Sequence, residues 1–150
     1  MTTELPTSLA RLRTLFSEAT PPTAPPVAGD YLITFVGPAP LRVVAPRAIA
    51  VGGMRRWRGK RFDGAGSAVN LVDDADGSRR EIIPMRVTVE PSWRDGRPAL
   101  VCSYGPDGPV PWRWVRDEFR ALDESRLIGL TFVGGRWSAP LAAPLLLTRA

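Results

Sequence analysis

Residues 81–90 read EIIPMRVTVE. Ile83, Met85, Val87 and Val89 fall on one side of an extended chain, and Arg86, Thr88 and Glu90 on the other. The apolar period is two rather than 3.6, the mark of a half-buried strand. Outward from it the pattern repeats. Residues 30–37, DYLITFVG, alternate Tyr31, Ile33 and Phe35 on one side. RPALVCSYG (97–105), RLIGLTFVG (126–134) and APLLLTRA (143–150) add apolar strands, and DDADGS (73–78), WRDGRP (93–98) and YGPDGPVP (104–111) are the turns between them. About eight short strands at regular spacing, punctuated by Gly and Pro, predict a mainly β protein, either a closed antiparallel up-and-down barrel or a sandwich.

Two regions fall outside that rhythm. Leu9, Leu12, Leu15 and Phe16 recur at helical spacing behind a Thr7 or Ser8 able to cap the first turn, so a short N-terminal α-helix is expected, with one apolar face that must dock on something. TPPTAPPVAG (20–29) ends it, because proline cannot continue a helix and favours an extended connector. The expected organisation is a helix with a Pro-rich linker over residues 1–28 and a barrel over 29–150. The second region, PWRWVRDEFRALDE (111–124), reads two ways. As a helix, Val115, Phe119 and Leu122 share a face. As a strand, Val115, Asp117 and Phe119 oppose Trp114, Arg116, Glu118 and Arg120. Periodicity alone does not decide.

Composition narrows the chemistry. A chain of 150 residues, 44% hydrophobic and 23% charged, is sized for one core. The net charge is +5 and every basic residue but Lys60 is arginine, yet the charges are interleaved with acids and form no nucleic-acid-binding motif. No nucleic-acid or membrane partner is expected. There is no histidine, which rules out Ser/His/Asp triads, Cys/His pairs, and imidazole-built zinc or haem sites within this chain. Cys102 is alone, so no internal disulfide forms. No metal or cofactor is expected. With no apolar run long enough for a membrane span or a signal sequence, the expected location is the cytoplasm.

The most charged segment is MRRWRGKRF (54–62). Read as a strand, it puts Arg56, Arg58, Lys60 and Phe62 on one face and Arg55, Trp57, Gly59 and Arg61 on the other. Gly59 permits a bulge or a close backbone approach. The plain structural reading turns the arginines outward to pair with acids on neighbouring strands. The functional reading turns Lys60 or Arg61 toward a barrel mouth to hold an anionic or carbonyl oxygen.

RRWRGKRF resembles the W-x-G-K-x-F segment of the GXWXG family of small lipocalin-like barrel proteins. RDEFRALDESRLIGLTF (116–132) is similar to that family's D-x-F-R-x-x-D…L-G segment, and LLLTR (145–149) to its closing strand. The sequence departs from the family in GDYLITFVG (29–37), where Tyr31 stands in the place of tryptophan, and in YGPDGPVPWRWVR (104–116), which replaces an acidic run. The resemblance implies a lipocalin-like barrel of about eight strands, a strand over residues 112–122, and an interior able to hold one small ligand.

In such an interior, Asp117 is a carboxylate among apolar neighbours. Burial would raise its pKa, and Arg116 or Arg120 beside it would lower it. The plain alternative is a structural ion pair. Trp57, Tyr104 and Trp112 are expected to wall the pocket, with Asn70, Tyr104 and Trp112 each able to orient a ligand oxygen. Lys60, Arg61, Arg116 and Asp117 are its candidate polar contacts. The expected function is binding of a hydrophobic or aromatic small molecule. An alternative is a cofactor-independent isomerase, cyclase or cycloaddition catalyst using Asp117, Tyr104 and Lys60. A third reading is an interaction domain that dimerises through the N-terminal helix or a barrel face.

Overall fold

Eight strands close into one antiparallel barrel in which each strand pairs with its neighbours in sequence and the last pairs with the first. A computed structural model describes residues 4–150; the first three residues of the expected N-terminal unit lie outside it. The strands are β1 (Gly29–Phe35), β2 (Trp57–Phe62), β3 (Ser67–Asp73), β4 (Arg79–Pro91), β5 (Pro98–Ser103), β6 (Val115–Ala121), β7 (Arg126–Val133) and β8 (Ala143–Arg149). The barrel of the sequence reading is therefore present and the sandwich is not. The ambiguous segment resolves into a single 3-10 turn, Trp112–Trp114, followed by strand β6. Its helical reading fails because Arg116, Glu118 and Arg120 all find partners on the outer face of the sheet.

Alternation sorts the side chains into two cores. Tyr31, Phe62, Met85, Val87, Leu100, Cys102, Phe119, Leu127, Leu145 and Leu147 fill the barrel interior. Outside, α1 (Leu9–Glu18) is capped by the Ser8 side chain and lays Leu12 and Phe16, both fully buried, on Ile128, Leu130, Phe132 and Leu146 of β7 and β8. Burying two such side chains contributes roughly 3–6 kcal/mol before entropy is counted. Arg120 fastens this layer from below: its guanidinium meets the Asp95 carboxylate at 2.7 and 2.8 Å, donates to the Phe16 carbonyl, and lies 4.5 Å from the Phe16 ring.

Two bulges break the alternation, and both bear on the site. In β2 the register shifts between Trp57 and Gly59, so that Trp57 opposes Val72 while Gly59 opposes Leu71. The inserted residue, Arg58, points outward to Asp73 at 2.6 Å. Trp57 and Lys60 thus both face the interior, which corrects the simple strand reading that set them on opposite faces. Gly59 is required here: its φ is +148° and a Cβ would stand 1.9 Å from the Tyr31 carbonyl oxygen. In β4 a second shift lets Asn70 oppose Ile82 and Ala68 oppose Met85. Ile83 occupies the bulge at φ +50°, so it leaves the row of Met85 and Val87.

A second helix, α2 (Ala39–Val51), crosses one end of the barrel between β1 and β2. The sequence reading gave this segment no element. Pro38 caps it and Pro46 sits inside it, and none of its residues is buried.

Candidate functional site

Beneath α2 lies a cavity of about 380 Å³. Leu41, Val44, Ala45, Ala48 and Ile49 of α2 face it, at the i, i+3, i+4, i+7, i+8 positions of one helix stripe. Trp57, Met54, Tyr104, Trp112, Val115 and Leu145 form much of its walls. Trp112 is fixed by an Nε1–H bond of 2.8 Å to the Gly52 carbonyl at the C-terminus of α2. The indole thereby ties the lid helix to the barrel rim.

Polar groups converge at the inner end. Lys60 is fully buried and Asp117 nearly so, and Lys60 Nζ stands 3.0 Å from Asp117 Oδ2. The two residues come from β2 and β6, which are not neighbours in the sheet, so the pair spans the interior. Thr131 of β7, opposite Asp117 in the ladder, donates its hydroxyl to Asp117 Oδ1 at 2.7 Å. The ammonium also donates to Asn70 Oδ1 and to Met85 Sδ, each at 3.4 Å. Asn70 acts as a hub: its Oδ1 accepts from Trp57 Nε1 at 3.1 Å, and its Nδ2 donates to the Ile83 carbonyl at 3.1 Å and to the Tyr104 hydroxyl at 3.0 Å. The β4 bulge aims that carbonyl inward. Lys60 Nζ lies 5.5 Å from the Trp57 ring and 5.9 Å from the Tyr104 ring, within cation–π range.

The electrostatics follow from this packing. Burial opposes the charge on Lys60, but the acidic groups of Tyr104, Asp117 and Cys102 outweigh it and hold the ammonium above its ordinary pKa. Burial raises the Tyr104 hydroxyl, with Lys60 opposing. Burial pushes the Cys102 thiol up to about 12, so it is an inert interior group rather than a nucleophile.

Six of the eight sequence candidates therefore meet in or directly beneath one cavity: Trp57, Lys60, Asn70, Tyr104, Trp112 and Asp117. Arg61 and Arg116 do not. Arg61 points outward and pairs with Asp30 at 2.6 Å and Glu81 at 2.5 Å. It borders a wide, open groove of about 650 Å³ across β2, β3 and β4. Arg116 lies on the outer face of β6, paired with Glu118 at 3.0 Å and stacked 4.3 Å from Trp93. Both have the odd-numbered or even-numbered parity that turns away from the interior, so the cation beside Asp117 is Lys60 and neither Arg116 nor Arg120. Thr131 and the α2 stripe were missed. Thr131 was legible as a polar residue on the inward row of Leu127 and Gly129, and the stripe as a helical period inside a Pro-rich run.

Among the described residues no group of His, Cys, Asp or Glu could hold a metal ion, and no helix is long and apolar enough to cross a membrane.

The fold and site define a closed eight-stranded up-and-down barrel with a lidded interior cavity. A solved structure of a protein from Thermomonospora curvata is similar to this chain, with a TM-score of 0.67, 21% sequence identity, and coverage of 95% of this chain and 88% of that one. At that identity the likeness establishes the shared fold. No family model and no curated protein matches the chain.

Proposed function

We propose that this protein binds a hydrophobic or aromatic small molecule in the cavity beneath α2, as a cytoplasmic, lipocalin-like barrel of the kind its GXWXG-like segments imply. The carrying observation is a cavity of about 380 Å³, partly covered by α2, whose walls are apolar and aromatic and whose inner end is polar. That size and distribution suit one small ligand: the walls supply affinity and the few polar groups supply orientation. The experiment is native mass spectrometry of the purified protein with identification of any carried compound. A one-to-one apolar compound, displaced in a variant that fills the cavity, supports the reading. A compound held equally well by that variant contradicts it.

A second reading has its own observation. Asp117, Lys60 and Tyr104 cluster at the inner end of the cavity, where the Lys60 and Asp117 side chains are buried and fixed charges act more strongly than in solution. Such a cluster could catalyse a cofactor-independent isomerisation or cyclisation of the bound molecule. On that reading Asp117→Asn abolishes turnover while ligand binding persists.

A further inference from the structure

A buried lysine at the end of an apolar pocket invites a carboxylate ligand, with the ammonium as its receptor. The geometry argues otherwise. Lys60 has three N–H donors, and all three are directed at protein atoms: Asp117 Oδ2 at 3.0 Å, Asn70 Oδ1 at 3.4 Å and Met85 Sδ at 3.4 Å. Its charge is matched one for one by Asp117, so the inner end of the cavity carries no net charge. Adding an anion would bury a second negative charge beside Asp117 with no cation to match it, and adding a cation would set it against Lys60. Either is disfavoured, because an unmatched charge would lose its hydration without gaining a partner.

What the site leaves open is different. The Tyr104 hydroxyl accepts from Asn70, and its own proton has no acceptor among the described residues. Asp117 accepts one bond at each oxygen, from Lys60 and from Thr131, and retains lone pairs. A donor, the Tyr104 hydroxyl, and an acceptor, the Asp117 carboxylate, thus remain at an ion pair of zero net charge.

We infer that the ligand is an uncharged, largely apolar molecule bearing a hydroxyl or carbonyl oxygen at its inner end, and that the pocket selects against the matching carboxylate. This rests on the binding function proposed above. The test uses three probes of one shape, naphthalene, 2-naphthol and 2-naphthoate, measured by equilibrium dialysis against the wild-type chain at pH 7. The expected order is 2-naphthol tightest, naphthalene next and 2-naphthoate at least about tenfold weaker than 2-naphthol, roughly 1.4 kcal/mol. Equal or tighter binding of 2-naphthoate overturns the inference and leaves the binding function standing. If none of the three binds, the binding function itself fails and the inference with it. A charge-altering variant gives a second readout. Asp117→Asn keeps acceptor and shape but leaves Lys60 unmatched, so 2-naphthoate affinity should rise relative to 2-naphthol by about tenfold. An unchanged ratio in a folded Asp117→Asn protein contradicts the charge argument.

Discussion

At the residue scale the protein turns on Lys60 and Asp117, a buried pair contributed by strands on opposite sides of the barrel. Removing either partner alone strands a charge in the interior. Lys60→Met should cost about 3–5 kcal/mol, read by urea denaturation. The double change Lys60→Met with Asp117→Leu should recover most of that loss, because two apolar side chains of similar volume replace the pair. A double variant no more stable than the single ones would mean that the pair does not act as a unit. Cys102 makes a separate prediction: a fully buried thiol with its pKa near 12 should resist alkylation at pH 8 in the folded chain and react promptly in denaturant. Legibility at this scale was uneven. Asp117 was found because Val115 and Phe119 flank it at period two. Lys60 was harder: Gly59 signalled a possible bulge, but not that Arg58 would be the inserted residue and so reverse the strand parity. The pairing of the two was not legible, because nothing in β2 or β6 alone records what lies across an interior.

At the scale of elements, β2 and α2 determine the site. Gly59→Ala introduces a methyl group onto the Tyr31 carbonyl at a φ unfavourable for any side chain. It should destabilise the fold by at least about 3 kcal/mol, measured by thermal unfolding, or prevent soluble expression. The lid is the opposite case. With no buried residue and few partners besides Trp112, α2 should exchange its amide protons much faster than β6 and β7, as seen by hydrogen–deuterium exchange. Ligand binding should slow exchange in α2 more than elsewhere. The strands were read from alternation and turn residues, whereas α2 was passed over despite its helical period. Its three prolines at 38, 40 and 46 and its valines read as breakers and β-formers, yet Pro38 and Pro40 fall at the start of the helix, where proline is tolerated.

At the scale of the whole molecule, the shifts of the buried groups set the alkaline limit of stability. Cys102, Tyr104 and Lys60 are all raised by the folded environment. The folded chain therefore keeps protons that the unfolded chain releases above about pH 9. Stability should fall as pH rises from there, by about 1.4 kcal/mol per pH unit for each proton retained, seen as a declining Tm between pH 9 and 11. On the acid side Asp30, Asp73, Asp95 and Asp123 are lowered, each first by its bond to an arginine. The stability they contribute is present above the ordinary carboxylate range and is lost as pH falls below about 4.

The central claim is that the space under α2 is a ligand site, and one titration tests it most directly. Ala48 projects from α2 into the cavity, so Ala48→Trp fills the space from the lid while leaving the interior core of the barrel untouched. Titrating 2-naphthol into wild-type and Ala48→Trp proteins by calorimetry should give saturable one-to-one binding to the first and at least about tenfold weaker binding to the second. Equal affinity for both proteins would place the ligand elsewhere and contradict the account.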